Sequence, residues 1–396
     1  MSKIKWGIIG TGSIANAFAD SIKHCNQSDL ISVFGRNEDA LGKFSHKFNI
    51  RSHSDVNSLL SSKNVDAVYI ATPHNSHYEY AFQAIKNKKH ILCEKPITIN
   101  HIESMVLFGL AQDAEVFLME AYMYRTHPQT LNILNRLKIL RDVNENISIN
   151  CSFGFKADIP EDHRLRNLAM GGGAILDVGC YPLSMVKLLA GQILSKSYAD
   201  PKSIEVKGEL DKTGVDLNSK ACIIFTDNIK ANIECAINAE YKNNLEIISG
   251  DFKLEVSQPW HCGQFQKGHS SIKVYDKNIL VEEIVYKDNV GLFTREIDHA
   301  SQCILEGKLE SELIPHNDSQ SNMLWLDKWR QEVGVVCPFE FKDISPMVKS
   351  NFYSIQKRKL ASISVDNKSK EFSRLVLGCD NQTSDIHAYA MFDYFY

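Results

Sequence analysis

Short apolar runs alternate with amphipathic segments over the first third of the chain, a pattern that predicts alternating strands and helices. Behind the first run, Ile14, Phe18 and Ile22 recur every four residues, as the buried face of a helix does. Residues 76–79 match a capping box at the start of a further helix. Strand–helix alternation favours a doubly wound parallel sheet. The predicted strands are Ile4–Ile9, Leu30–Phe34, Ala67–Ala71 and Ile91–Cys93.

The second half of the chain has a different pattern, with strand-like runs that follow one another without long helices between them. Such a succession is typical of an antiparallel sheet. One amphipathic helix is predicted later, at Phe293–Leu305, and packs on this sheet or returns to the first domain. We therefore predict an α/β protein with a domain at 1–125 and a second at 126–341. The runs in the second domain are Ile147–Phe153, Ala221–Phe225, Leu245–Ser249 and Ile279–Val285.

Composition narrows the class of protein without identifying it. The 396 residues are 44% hydrophobic and 23% charged, as in ordinary globular proteins. A formal net charge of -4 gives no reason to expect nucleic acid or an anionic membrane as a partner. The ten cysteines show no CxxC pair and no short metal-ligand spacing, so reduced thiols are expected. With no apolar signal region and no apolar run of ~20 residues, we expect a cytoplasmic protein.

A glycine-rich turn follows the first predicted strand and opens the first helix, in the form G-x-G-x-x-A. Gly10 permits the tight turn, Gly12 leaves room for a pyrophosphate, and Ala15 is small enough for close helix–strand packing. Ser13 and Ile14 lie in the first helical turn, where unpaired backbone amides attract anions. The turn therefore predicts a dinucleotide site.

The end of the second strand bears on which dinucleotide binds. An acidic residue there would accept hydrogen bonds from the ribose hydroxyls of NAD, but this chain has Arg36 instead. A guanidinium pairs with a 2′-phosphate, so NADP is favoured over NAD. The alternative is that Arg36 is a solvated loop residue.

Two further segments carry groups suited to acid–base chemistry. Glu94 and Lys95 follow a strand end, and Asp177 and Tyr181 stand four residues apart behind three glycines. Oxidising an alcohol needs a base for the hydroxyl proton, and tyrosine serves only if a cation such as Lys95 lowers its pKa. The alternatives are a surface lysine paired with Glu94, a core tyrosine, and an aspartate that caps a helix.

Other polar residues at predicted strand ends are candidates for lining the pocket. Thr72, His74 and His77 are assigned to the cofactor site, as is Glu94. The two histidines are three residues apart, but neither carboxylate nor cysteine joins them at ligand spacing, so no metal is expected. Tyr124 and Arg125 are assigned to substrate binding, together with Asp177 and Tyr181.

Taken in order, four segments resemble the glucose–fructose oxidoreductase and inositol dehydrogenase family, called Gfo/Idh/MocA. They are the Gly10–Ala15 turn, the Glu94–Pro96 triad, the stretch 120–129 and the segment Gly171–Leu183. The resemblance covers roughly residues 3–341. The most similar subgroup comprises the dimeric dihydrodiol dehydrogenases and NADP-dependent D-xylose dehydrogenases.

That resemblance implies a fold, an assembly and residue roles. The fold is an N-terminal Rossmann domain plus an α/β domain with an open, mostly antiparallel sheet, whose open face commonly forms a homodimer. Lys95 would lie beside the nicotinamide, Tyr181 would be the general acid/base, and Asp177 would position the substrate. The implied function is an NADP-dependent hydride transfer at a CH–OH or carbonyl carbon of a small sugar or cyclic diol.

Two other functions remain open at this stage. One is a non-catalytic sensor or scaffold that binds NADP(H), for which the glycine turn alone would suffice. The other is a sugar–sugar oxidoreductase that keeps its cofactor tightly bound.

The C-terminal residues lie beyond the family resemblance. Residues 342–370 are polar with little periodicity, which predicts a linker. Residues 371–396 resemble the opening strand and helix of an aldo/keto reductase. Because a (β/α)₈ barrel needs about 250 residues, this segment is interpreted as a truncated remnant.

Overall fold

The computed structural model describes residues 3–141, 145–263, 268–287 and 290–338, and the backbone of two strands at 361–365 and 368–372. Residues Met1–Val336 form one compact unit and Cys337–Tyr396 a second. Both sheets considered below belong to the first unit.

The first sheet contains six parallel strands. Their bounds are β1 Ile4–Ile9, β2 Ser28–Phe34, β3 Arg51–His53, β4 Ala67–Ile70, β5 His90–Glu94 and β6 Leu118–Ala121. The order is β3-β2-β1-β4-β5-β6, and every neighbouring pair is parallel. This order reverses between β1 and β4, which is where Rossmann sheets bind dinucleotides. The predicted doubly wound sheet is confirmed.

Helices cover this sheet, and most of them begin at a side-chain cap. Their bounds are α1 Ser13–Ser21, α2 Glu38–Phe48, α3 Val56–Leu60, α4 His77–Lys86 and α5 His101–Asp113. Asn37, Asp55 and Asn100 accept hydrogen bonds from first-turn amides of α2, α3 and α5. The capping box predicted at 76–79 does not form, because the Ser76 hydroxyl accepts no first-turn amide and instead lies 2.8 Å from both Thr72 Oγ1 and the Pro73 carbonyl.

The second sheet contains eight strands in the order β14-β13-β12-β11-β7-β10-β9-β8. Its neighbouring pairs are antiparallel except β7 and β10, so the predicted open, mostly antiparallel sheet is confirmed. The bounds are β7 Ile147–Gly154, β8 Ser203–Leu210, β9 Asp216–Thr226, β10 Ile229–Ala236, β11 Asn244–Ser249, β12 Phe252–Ser257, β13 Ser270–Asp276 and β14 Ile279–Tyr286.

Four further helices join the two sheets. They are α6 Pro128–Leu137, α7 Cys180–Ile193, α8 Thr294–Leu305 and α9 His316–Val333. A π-helical stretch, Ile175–Gly179, runs directly into α7. Helices α7 and α9 contact the second sheet, whereas α8 packs on β1 and β2. The predicted helix at 293–305 therefore returns to the first sheet.

The segment Leu168–Ile193 is long and apolar enough by composition to pass for a membrane span. Its mean hydropathy is 1.3, and the whole window is buried within the protein. This burial is typical of a central core helix, whose apolar surface is covered by other elements.

Several predictions need correction or fall outside the described residues. Ile14 is 44% exposed, so it is not part of the buried face of α1, which Ala15, Phe18 and Ala19 form, and Ile22 is buried just beyond the helix. Within the predicted linker the backbone forms an antiparallel strand pair, β15 Ala361–Val365 and β16 Lys368–Phe372. The boundaries at 125 and 341 stay predictions. The aldo/keto reductase resemblance also stays a prediction, since residues 373–396 lie outside the described part.

Candidate active site

The glycine turn lies where β1 meets α1. Gly10 has φ +124°, and a Cβ there would lie 2.4 Å from the Ala71 carbonyl oxygen, so only glycine fits. At Gly12 a Cβ would meet nothing within 4 Å, which leaves the space beside the turn open. No side chain caps α1, and its first-turn amides have no intrahelical acceptor. The turn is therefore shaped to receive an anion.

Arg36 lies beside this turn, just past the carboxyl end of β2. The amide of Gly10 donates to the Phe34 carbonyl at 2.8 Å, which holds the two strand ends together. Arg36 is exposed, and none of the ion pairs recorded among the described residues includes it. Its guanidinium is available to a ligand that binds at the turn.

Asp177 forms the centre of a cluster of cationic groups. Its Oδ1 lies 3.3 Å from Arg164 Nη2 and 3.9 Å from Lys95 Nζ, and Lys95 Nζ also donates to the Asp177 carbonyl at 2.5 Å. Burial raises the pKa of Asp177, but the charges of Lys95 and Arg164 outweigh it and hold that pKa below its usual value. Asp177 is therefore a carboxylate at neutral pH.

His74 joins Asp177 from the loop that follows β4. Its Nδ1 lies 2.9 Å from the Gly171 carbonyl and its Nε2 lies 3.9 Å from Asp177 Oδ1. Burial and the charge of Lys95 lower the pKa of His74 to about 3, so the ring is neutral. A carbonyl only accepts, so Nδ1 carries the proton and Nε2 offers a lone pair. The contact with Asp177 is not an ion pair, and the two atoms that face each other are both acceptors.

Tyr181 lies in the first turn of α7, four residues beyond Asp177. Its hydroxyl contacts Met123 Sδ at 3.7 Å, and Lys95 Nζ lies 5.2 Å from the centre of its ring. Phe153 and Trp260 pack against the ring, with centroids 5.1 and 5.7 Å away. Lys95, Asp177 and Tyr181 are thus brought together as the sequence predicted.

The pKa of Tyr181 is not lowered overall, contrary to the prediction from the sequence. Burial raises the pKa of Tyr181 well above its ordinary value, and the negative charge of Glu94 raises it further. The Lys95 ammonium lies over the ring face rather than at the hydroxyl. Tyr181 is therefore a protonated phenol at neutral pH.

Three residues assigned to the cofactor site have structural partners instead. His77 is fully buried, with Nδ1 and Nε2 at 2.8 and 2.9 Å from the carbonyls of Pro96 and Thr72. Burial lowers the pKa of His77 to about 4, so the neutral ring donates its one proton to one of these carbonyls, and both ring nitrogens face the backbone. Glu94 is buried and accepts a hydrogen bond from the Tyr69 hydroxyl. The Thr72 hydroxyl accepts the bond from Ser76.

Tyr124 and Arg125 also lie inside the protein rather than facing substrate. Arg125 is 3% exposed, pairs with Asp318 at 2.8 Å, and donates to Ser184 Oγ at 3.0 Å. Tyr124 is fully buried, and its hydroxyl donates to the Tyr181 carbonyl at 3.4 Å. Both hold the segment beneath Tyr181, so the prediction that they bind substrate is wrong.

The structure adds pocket residues that sequence patterns had not placed. Arg164 reaches Asp177 from a short 3₁₀ turn, with 40% of its side chain exposed. Trp260 stacks on Phe153 at 5.5 Å. Neither Arg164 nor Trp260 has a local sequence signal, because each reaches the cluster through contacts with residues distant in the chain.

The residues present fit a dinucleotide. Because Gly12 has no Cβ, the space beside the turn is open. The uncapped end of α1 and the exposed Arg36 lie next to this space. Gly10 abuts Ala71 at the end of β4, three residues before His74. The chain therefore leads directly from this contact at the turn to His74, which contacts Asp177.

Two family models match the chain. The model described as the oxidoreductase family with an NAD-binding Rossmann fold (GFO_IDH_MocA) matches residues 4–122. The GFO/IDH/MocA C-terminal domain model matches residues 145–256. Together they cover more than half of the chain, which belongs to this oxidoreductase family.

Individual relatives match over almost their whole length. A trans-1,2-dihydrobenzene-1,2-diol dehydrogenase from Xenopus tropicalis is 26% identical, over 84% of this chain and 99% of that protein. A D-xylose 1-dehydrogenase (NADP(+)) from Hypocrea jecorina is 25% identical, over 85% of this chain and 93% of that one.

Solved structures share the fold. A 3-ketoreductase from Actinomadura kijaniata, in complex with NADP and TDP-benzene, superposes with a TM-score of 0.73 at 23% identity, over 84% of this chain and 98% of that one. An aldose–aldose oxidoreductase from Caulobacter crescentus gives a TM-score of 0.73 at 18% identity, over 84% of this chain and 97% of that one.

Proposed function

We propose that the chain is an NADP-dependent oxidoreductase acting on a CH–OH or carbonyl carbon of a small sugar or cyclic diol. The observation that carries this proposal is the convergence of Lys95, Asp177 and Tyr181 in one pocket. The dihydrodiol and D-xylose dehydrogenases to which the chain is similar support the substrate class and the cofactor.

The glycine turn and Arg36 would hold the cofactor. The open space at Gly12 and the uncapped end of α1 would receive the pyrophosphate, and Arg36 would pair with the 2′-phosphate of NADP. When bound, NADP(H) supplies or accepts the hydride, and the protein's own residues handle the proton.

Tyr181 holds a proton at its hydroxyl at neutral pH, because burial raises its pKa. In reduction this hydroxyl donates its proton to the substrate oxygen, and in oxidation the phenolate takes the proton back. The ammonium of Lys95, which lies over the ring, stabilises the transient phenolate form of Tyr181. Reduction should therefore run at neutral pH, whereas oxidation should accelerate as pH rises.

Asp177 and His74 supply the acceptors that a polyol requires. Oδ1 of Asp177 and Nε2 of His74 are 3.9 Å apart, and each can accept a hydrogen bond from a different hydroxyl. A substrate with two neighbouring hydroxyls can donate to both, whereas a simple alcohol can donate to only one of them. This arrangement supports a sugar or a cyclic diol as substrate.

Replacing Tyr181 by phenylalanine tests the proposal. In assays with NADP(H) and a panel of aldoses, cyclic diols and their carbonyl forms, Tyr181→Phe should lower kcat by about 10²- to 10⁴-fold. The NADPH Kd, followed by nicotinamide fluorescence, should stay unchanged. Tyr275→Phe is the matched control, because its hydroxyl donates to Glu255 within the second sheet and its loss should leave kcat within a few fold. Equal turnover in both variants, or NADPH binding without turnover of any substrate, would contradict the proposal.

We also propose that the protein is a cytoplasmic homodimer. The support for a dimer is the edge strand β14, where Ile279, Val281 and Val285 are 68%, 59% and 50% exposed. Sedimentation velocity should show a dimer for the protein and a monomer for Val281→Lys. A monomeric protein at micromolar concentration would refute this assembly, and cell fractionation checks the location.

A further inference from the structure

A cluster of potential metal ligands lies on α8, apart from the residues of the active site. His299 and Cys303 stand four residues apart on the helix, and Glu312 comes from the chain that connects α8 to α9. One ligand atom from each residue lies within 4.8 Å of the others. Such i, i+4 spacing puts both helical side chains on one face.

The spacing of the nitrogen and sulfur atoms is close to that of ligands sharing one ion. His299 Nε2 lies 3.7 Å from Cys303 Sγ. Tetrahedral zinc, with Zn–N of about 2.0–2.1 Å and Zn–S of about 2.3 Å, separates such a pair by roughly 3.6 Å. The two donor atoms thus need little movement to bind a common ion.

Hydrogen bonding also fixes the histidine in the tautomer that a metal requires. Ser311 Oγ accepts hydrogen bonds from the amides of Leu313 and Ile314, at 3.1 and 3.2 Å. Its own proton is therefore free to be donated to His299 Nε2, 2.6 Å away. Nε2 is then the nitrogen without a proton, and its lone pair accepts the Ser311 proton until a metal ion displaces that hydrogen bond.

We propose that His299, Cys303 and Glu312 form a binding site for a divalent metal ion of the zinc class. Imidazole, thiolate and carboxylate are ligands that Zn²⁺ accepts, and three protein ligands leave a fourth position for water. Coordination releases the thiol proton to solvent. The Glu312 carboxylate exchanges its ion pair with Lys308, 3.3 Å away, for the metal.

The bound ion would connect α8 to the segment that precedes α9. That segment supplies the Leu313 carbonyl, which accepts a hydrogen bond from Arg125 at 2.7 Å. Metal binding should therefore raise the melting temperature of the protein, because the ion binds the folded state.

Titration of the purified, reduced protein with Co²⁺ tests the site. Thiolate–Co²⁺ coordination gives a near-ultraviolet absorption band. We expect this band to saturate at one equivalent of Co²⁺ per protein chain and to disappear when Zn²⁺ displaces the Co²⁺. Cys303→Ser should abolish the band. Because Cys303 is buried and its variant can lose stability, Glu312→Gln provides a second test on an exposed residue, with Co²⁺ affinity at least about tenfold weaker.

Glu306→Gln is the matched control for the carboxylate. Glu306 is also exposed and pairs with the same Lys308 at 2.9 Å, but it is not part of the cluster. This variant should bind Co²⁺ as the parent protein does. Absence of a thiolate band in the parent, or equal loss of affinity in Glu306→Gln and Glu312→Gln, would overturn the proposal.

Discussion

Gly10 and Gly12 are glycines for two different physical reasons. Gly10 has a positive φ and touches the Ala71 carbonyl, so a side chain there strains the fold. Gly12 has φ -74° and ψ -174°, which any residue adopts, and open space where its Cβ would point. The fold requires Gly10, whereas the ligand requires Gly12.

Alanine at each position should separate these two requirements. Gly10→Ala should lower the free energy of unfolding by roughly 1–3 kcal/mol, because it combines backbone strain with a steric clash. Gly12→Ala should leave thermal unfolding unchanged while weakening NADPH binding, because the methyl group occupies the pyrophosphate space. Thermal melts and fluorescence titrations measure the two effects. Unchanged NADPH affinity in Gly12→Ala would show that the dinucleotide does not approach this turn.

Sequence alone could identify local chemistry but not distant partners. The Gly10–Ala15 turn is recognisable because its function depends on residues next to one another in the chain. Arg125 was misassigned because its partner Asp318 lies 193 residues away. His77 was misassigned for a related reason, since one of its acceptors, the Pro96 carbonyl, belongs to a different loop.

Among the strands of the structure, sequence analysis recognised those that contain apolar runs. β1 was predicted with its exact bounds because all but one of its residues are buried. β8 was missed because it is polar and largely exposed at the edge of its sheet, so it lacks the apolar signal. Backbone pairing with β9 stabilises β8, and the sequence of β8 alone does not indicate this pairing.

The ion pairs of Asp318, in α9, connect this helix to the 3₁₀ segment Met123–Thr126 and to α7. Asp318 of α9 pairs with Arg125 at 2.8 Å and with Lys187 of α7 at 3.2 Å. Arg125→Met leaves a buried carboxylate less compensated, so it should destabilise the protein by about 3–5 kcal/mol. Arg136→Met is the control, because Arg136 pairs with Glu282 at the surface and should cost at most about 1 kcal/mol. Urea denaturation measures both, and a KM effect of Arg125→Met without destabilisation would restore a substrate role.

The helix that carries Asp177 begins at a buried carboxyl group from β9. Asp216 Oδ2 accepts a hydrogen bond from the amide of Ile175 at 2.7 Å. Burial raises the pKa of Asp216 to about 7, although this amide lowers it in part. Between pH ~4 and pH ~7 the folded protein therefore binds a proton that the unfolded chain has lost.

Stability should accordingly fall as pH rises through that window, by an amount on the order of a few kcal/mol from this group. Asp216→Asn removes this contribution, so the difference in unfolding free energy between variant and parent should change with pH. Burial also raises the pKa of Glu120 to about 7, but Glu120 is present in both proteins and cancels in the difference. Urea titrations at several pH values between 4 and 8 measure this difference in unfolding free energy. If the difference does not change with pH, Asp216 does not titrate in this range.

At the scale of the whole molecule, the two sheets and the site between their helices belong to a single compact unit. That unit ends at Val336, and the relatives of known activity match 84–85% of this chain while covering 93–99% of their own length. The residues that carry the proposed chemistry all precede this point. About 84–85% of this chain thus accounts for 93–99% of the length of these relatives.

A chain truncated after Pro338 should therefore fold and turn over substrate as the full chain does. Val335 and Cys337 are buried, so the cut must follow them. We expect a single cooperative melt within about 1 kcal/mol of the full-length stability, and unchanged kcat and NADPH Kd. A cut after Asp327 is the informative contrast, because it removes Trp329, which is fully buried and donates to Ser219 Oγ at 2.8 Å. Loss of turnover in the first truncation, with its melt intact, would mean that residues 339–396 contribute to catalysis.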